Sequence, residues 1–110
     1  MQIPYPTKYK FDRQQFRLLH IKLSMLLNDC YHYGVDSVVE KLIFSILIET
    51  SKKFYFSELN KPQKNYTKEL KYHEAFALLS FINWLLQCTT DVYDRVLLDQ
   101  VRIMLDKKVN

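Results

Sequence analysis

The sequence has a single glycine, Gly34, and three prolines among its 110 residues. Loops that cradle a phosphate, as in P-loop and dinucleotide-binding proteins, need backbone conformations that glycine adopts most easily. The scarcity of glycine therefore excludes both kinds of nucleotide loop. Glycine and proline interrupt helices, so their scarcity also favours long helices over an all-β fold with many tight turns.

Cysteine is scarce too, since Cys30 and Cys88 are too few for a disulfide framework. The first ten residues, MQIPYPTKYK, lack the apolar stretch of a secretory signal. No apolar run reaches the roughly 18 residues of a membrane span, because serine or asparagine interrupts the longest ones. We therefore expect a cytoplasmic protein with free thiols and no membrane partner.

What the sequence does contain is typical of a folded globular chain. Hydrophobic residues make up 48% of it and charged residues 25%, a balance unlike that of disordered chains. We expect one helical domain over residues 1–110, with residues 1–11 as an extended N-terminal arm.

Apolar residues recur at helical spacing in four segments. The predicted helices run from about Asp12 to His32, from Asp36 or Ser37 to Lys53, from Thr67 to Cys88, and from Thr90, as an N-cap, to near Lys107 and Lys108. Short connections make neighbouring helices antiparallel, whereas the 54–66 connection is long and has room for a short helix up to Asn60. The predicted fold is all-α: an up-and-down four-helix bundle with a long, partly helical connection between helices two and three.

The third segment carries a narrow polar stripe. Its members are Glu69, His73, Phe76, Ser80, Asn83 and Gln87, which follow one another at steps of four and three residues. The stripe can face solvent, form a polar seam inside the bundle or between subunits, or line a ligand site. Because amides do no acid–base chemistry near neutral pH, we expect the role of the stripe to be structural.

Helices two and three are more apolar than a small monomeric bundle needs. We therefore expect a homodimer or a tight protein partner, although a monomer with the 54–66 connection folded over it as a lid is the alternative. The predicted interface residues are Phe44, Leu47, Ile48, Phe81, Trp84 and Leu85. An immunity or inhibitor protein that binds one partner is a further possibility, supported by size and helical form alone.

The formal net charge is +4, and lysines alternate with aromatic residues near the N-terminus and between residues 51 and 75. Such surfaces bind nucleic acid by neutralising phosphates and stacking on bases, so a basic nucleic-acid-associated accessory protein is the alternative function. Four lysines form a candidate contact for an acidic partner: Lys52, Lys53, Lys61 and Lys64.

The histidines and cysteines do not have metal-ligand spacing, and we expect neither a metal nor a cofactor. The stretch RQQFRLLH, from Arg13 to His20, resembles the R-x4-6-H motif of the HEPN ribonucleases, which are small dimeric helical bundles. The resemblance covers eight residues and implies that Arg13 holds the scissile phosphate while His20 takes part in proton transfer. The favoured function remains non-enzymatic protein–protein association.

Overall fold

The computed structural model describes residues 6–28, 38–57 and 63–109. In chain order the elements are β1 (Thr7–Asp12), α1 (Arg13–Asn28), α2 (Val38–Ser51), a 3₁₀ turn (Lys52–Phe54), β2 (Asn65–Leu70), α3 (Tyr72–Cys88) and α4 (Val92–Val109). The two strands form an antiparallel ribbon that contacts α1, and β1 also contacts α4. Helix α3 lies against both α2 and α4.

The prediction of an all-α, up-and-down four-helix bundle is wrong, because the fold combines helices with this two-stranded sheet. In β1, Tyr9 and Phe11 are buried whereas Lys8 and Lys10 are exposed, the two-residue alternation of a half-buried strand. Residues 7–11 of the predicted N-terminal arm are extended, as expected, but they form a strand paired with β2 and not a free arm.

The predicted start of the third helix is also wrong, since residues 67–70 belong to β2. Tyr66 and Thr67 are residue types that favour strands. In the ribbon Tyr66 pairs with Phe11 and Leu70 with Thr7, so that Leu70 points into the core. The third helix begins only at Tyr72.

Four predicted features extend beyond the described residues. These are residues 1–5 of the N-terminal arm, the last turn of the first helix up to His32, the start of the second helix at Asp36 or Ser37, and the short helix up to Asn60 in the long connection. In the described part of that connection the chain leaves the 3₁₀ turn after Phe54 and continues without helix to residue 57.

Carboxylate caps fix where two other helices begin. The amide of Gln15 donates to the Asp12 carboxylate at 2.8 Å, and the amide of Asp12 donates to the Gln15 side chain at 3.0 Å. This reciprocal capping box starts α1. At α4 the cap is Asp91 rather than the predicted Thr90, because the amide of Asp94 donates to the Asp91 carboxylate at 2.9 Å.

Aromatic rings hold the ribbon and the 3₁₀ turn against α1. The Phe16 ring of α1 stacks on Tyr66 of β2 with their centroids 4.4 Å apart, and it lies 5.5 Å from the ring of Phe54. The Phe54 ring also meets Phe11 of β1 edge-on at 5.2 Å. We call Phe11, Phe16, Phe54 and Tyr66 the aromatic cluster; it is the point at which strands, turn and first helix meet.

An ion pair joins the 3₁₀ turn to the start of α3. The Lys53 ammonium donates to the Glu74 carboxylate and to the carbonyl oxygen of Glu69, at 2.8 and 2.9 Å. The amide of Lys71 donates to the same Glu74 oxygen at 2.8 Å. Burial acts to raise the pKa of Glu74, but the hydrogen bonds from Lys53 and Lys71 and the positive charge nearby lower the pKa below its ordinary value.

The Lys53–Glu74 ion pair makes the stability of the fold depend on pH in the acid range. Folding lowers the pKa of Glu74. The stability that its carboxylate contributes is therefore fully present above the ordinary pKa of 4.5 and is lost as the pH falls through the folded-state pKa. Glu74→Gln should lower the free energy of unfolding by about 1–3 kcal/mol near neutral pH and should weaken its dependence on pH in the acid range. Urea unfolding at a series of pH values measures both effects.

The matched control is Asp99→Asn, which breaks the more exposed pair with Arg102 on α4 and should cost less than about 1 kcal/mol. Equal effects of the two substitutions, or a pH dependence that Glu74→Gln leaves unaltered, would contradict the role given to this pair.

Candidate association surface

The predicted interface residues fall into two groups. Leu47, Phe81 and Leu85 lie in the core of the chain itself, and Leu47 and Phe81 are 0% exposed. In this conformation they offer no surface to a partner, because their side chains are packed within the core cluster. Phe44 and Trp84 are half-buried at the edge of the core and Ile48 is exposed, so for these residues subunit contact stays a prediction.

The polar stripe faces solvent along α3. His73, Asn83 and Gln87 are exposed and Ser80 is half-buried, whereas Glu69 precedes the helix in β2. In the single chain the helical part of the stripe is thus not a seam inside the bundle, whereas a seam between subunits and a ligand lining stay alternatives to a purely solvent-facing role. Its one apolar member, Phe76, is exposed over 49% of its surface.

Phe76 belongs to an apolar groove between α2 and the first turns of α3. The groove has a volume of about 300 Å³ and is lined by Leu42, Ile43, Ile46, Tyr72, His73 and Phe76. Leu42 on its rim is 61% exposed. Only Tyr72 and His73 of the lining residues carry polar side-chain atoms, so the groove is suited to apolar side chains rather than to a polar ligand.

The outer face of α2 continues this groove. Val38 is 83% exposed, and Lys41, Ser45 and Glu49 are exposed on the same side of the helix. Glu49 pairs with Lys52 at 3.3 Å, and both of these side chains are largely in solvent. We call the exposed residues Val38, Lys41, Leu42, Ser45, Ile48, Glu49 and Lys52 the α2 face; it mixes apolar side chains with charges of both signs.

A second exposed apolar stripe runs along α4 through Val92, Val96 and Ile103. Charged side chains with structural contacts interrupt it. Arg95 donates to the carbonyl oxygens of Leu86 and Thr89 at the end of α3, and Arg102 donates to Asp99 at 2.7 Å. These hydrogen bonds stabilise the end of α3 and the surface of α4, which leaves the stripe less continuous than the α2 face.

The lysines predicted to meet an acidic partner have different surroundings. Lys53 is bound to Glu74 and Glu69 inside the chain, Lys52 pairs with Glu49, and Lys64 is exposed. Lys61 lies outside the described residues. The contact with an acidic partner stays a prediction for Lys52 and Lys64.

Three of the aromatic residues that alternate with lysines, Tyr9, Phe54 and Phe56, are buried in the core. Tyr66 is half-buried, Tyr55 and Tyr72 are exposed, and Tyr5 lies outside the described residues. Lys68 is turned inward, with its ammonium 5.5 Å from the centre of the Phe16 ring. Nucleic-acid binding stays untested, but these buried rings are not available for stacking in this conformation.

Arg13 and His20 are held by different neighbours. The Arg13 guanidinium lies 4.8 Å from the centre of the Phe56 ring and donates to the Tyr66 hydroxyl at 3.3 Å. His20 Nδ1 lies 3.1 Å from the carbonyl oxygen of Phe54, and its ring meets Tyr55 edge-on. Both side chains thus stabilise the packing of the 3₁₀ turn and ribbon on α1, and the ribonuclease role stays an untested alternative.

Within the ranges that the structure describes, no group of His, Cys, Asp and Glu residues could hold a metal ion. Nor does any described helix combine the length and the apolar character of a membrane span. Comparisons with the models of known protein families, with curated proteins and with solved structures find no significant match. The surface must therefore be interpreted from its own chemistry.

A signal for the groove is present in the sequence. Phe76 is the apolar exception in a stripe that otherwise faces water, and Leu42 stands beside Lys41 on the polar side of α2. An apolar residue on a solvent-facing stripe marks an exposed patch, and patches of this kind mark protein contacts. Choosing interface residues from the most apolar arcs instead selects side chains that the chain buries itself.

The division between core and surface can be tested with two phenylalanines on α3. Phe81→Ala should lower the free energy of unfolding by about 3–5 kcal/mol, because it leaves a cavity in the core. Phe76→Ala should cost less than about 1 kcal/mol, because its ring is half in solvent and alanine favours the helix. Denaturant unfolding at low protein concentration measures both, and comparable losses would contradict the placement of Phe76 at the surface.

Proposed function

We propose that the protein is a non-enzymatic association domain that binds another copy of itself through the α2 face and the adjoining α2–α3 groove. The observation that supports this most strongly is the exposure of Leu42 and Phe76 on either side of one continuous apolar groove. Burying a Leu or Phe side chain fully is worth roughly 1.5–3 kcal/mol, and a two-fold interface uses every such side chain twice.

The composition of the surface agrees with this proposal. Lys41, Glu49 and Lys52 lie among the exposed apolar residues of α2, so the face offers charges of both signs, which can set the orientation of a partner, together with apolar contact area. The scarcity of cysteine supports a cytoplasmic location, where thiols remain reduced.

The test is the mass of the protein in solution. The wild-type chain should show a concentration-dependent dimer in sedimentation velocity. Leu42→Gln/Phe76→Gln should shift the chain to monomer, because glutamine keeps the helices but removes apolar contact area. The matched control is Val92→Gln/Val96→Gln, which changes the stripe of α4 and should leave the dimer unaffected.

Circular dichroism of each variant checks that it is folded. A wild-type chain that remains monomeric at its solubility limit would contradict the proposal. So would a dimer that the α4 substitutions dissociate and the α2–α3 substitutions do not.

A further inference from the structure

We propose that two copies of the chain pair through antiparallel α2 helices, related by a two-fold axis that passes beside Ser45. This inference rests on the proposed self-association and specifies its geometry. The occupant of the α2 face is then the α2 face of the second copy.

The order of residues on the α2 face is complementary to itself about Ser45. Three residues before Ser45 is Leu42 and three after is Ile48; four before is Lys41 and four after is Glu49. Seven before is Val38 and seven after is Lys52, the first residue of the 3₁₀ turn. All seven residues are exposed, so each can be reached by a partner.

A two-fold axis perpendicular to the helices reverses the order of residues in the second copy. A residue that precedes Ser45 by some distance therefore lies level with the residue that follows the partner's Ser45 by the same distance. Four residues correspond to about 6 Å along a helix. Lys41 then lies level with the partner's Glu49, and the same pair forms again on the other side of the axis.

The charged residues pair favourably across the contact. The long side chain of Lys41 can reach the partner's Glu49, a carboxylate that already lies 3.3 Å from the ammonium of Lys52 in its own chain. Leu42 and Ile48 lie about 120° apart around the helix, so they form the two apolar edges of the contact and do not meet each other directly. Val38 meets the methylene stem of the partner's Lys52, whose ammonium remains in solvent.

The axis itself needs a small side chain, and Ser45 supplies one. Helices pack with axes about 8–10 Å apart, and the residue at the crossing point sets this distance. Leu42 also lines the α2–α3 groove, so the helix pair and the groove form one continuous surface.

The exposed stripe on α4 lacks this complementarity and serves as an internal comparison. About Asp99, at its middle, two Asp99 carboxylates would approach each other at the axis. Arg95 and the partner's Arg102 would lie on the same side of the contact at nearly the same height. Like charges at the axis and beside it disfavour pairing, so the same operation on α4 gives a poor interface.

Charge reversal tests the pairing directly. Lys41→Glu and Glu49→Lys should each weaken the dimer by roughly 10-fold in dissociation constant, because each places like charges at two levels of the interface. The double variant Lys41→Glu/Glu49→Lys should return to within about 3-fold of the wild type, because opposite charges face each other again. Asp99→Lys, a charge reversal at the partly exposed middle of α4, is the control and should leave the dissociation constant unchanged.

A cysteine at the axis gives a second measurement. In the oxidised dimer of the Ser45→Cys variant, peptide mapping should find position 45 of one chain linked to position 45 of the other, because residues at a two-fold axis approach within disulfide distance. Asn83→Cys, on the exposed stripe of α3, should give no such symmetric link. A link at position 83 and none at position 45 would overturn the inference.

The outcomes separate this inference from the proposed function. A wild-type chain without any dimer overturns both. A dimer that Leu42→Gln/Phe76→Gln dissociates, but that single charge reversals leave intact or the double reversal does not restore, overturns only the antiparallel α2 pairing. Restoration by the double reversal together with the symmetric link at position 45 supports it.

Discussion

The packing of Phe16 between Tyr66 and Phe54 is the contact on which the rest of the structure depends. These rings come from α1, β2 and the 3₁₀ turn, and Phe11 adds β1 to the same cluster. Bringing them together fixes the ribbon on α1 and anchors the end of α2. Since the turn also carries Lys53, the same arrangement places its ammonium on Glu74 at the start of α3.

This constraint explains why α2 is left with an uncovered side. Its inner residues, Leu47 and Thr50, are buried against the core, and its last turn leads directly into buried Phe54. In the described parts of the chain the main contacts of the ribbon are with α1 and, through β1, with α4, while the residues on the outer face of α2 remain exposed. The chain therefore retains Val38 and Leu42 in solvent, and association of two copies is the simplest way to bury them.

The helical parts of this fold could be predicted well from the sequence and the ribbon only poorly. Phe16, Leu19, Leu23 and Leu26 form the buried face of α1 as their spacing predicts, because one face of a long helix repeats enough times to be recognised. The strands are six residues each and join distant parts of the chain. Alternation over so few residues is a weak signal. At the start of α3 the Glu74 carboxylate accepts both from the nearby Lys71 amide and from Lys53 of the 3₁₀ turn, and no local pattern shows the second of these contacts. For the candidate surface, the excess of apolar residues on α2 is evident in the sequence, but which side of a helix its neighbours cover is not. The positions of Leu42 and Phe76 on polar sides of their helices are visible in the sequence, but that they line one groove follows only once α2 and α3 are packed together.

The central claim is that the α2 face is the surface through which two copies meet. Amide resonances of the isotope-labelled wild-type chain, followed by NMR over a dilution series, test it most directly. The account predicts that shifts which change with concentration cluster at Lys41, Ser45 and Glu49 and extend to Phe76, while Val92 and Val96 stay constant. Changes confined to α4, or spectra independent of concentration, would contradict it.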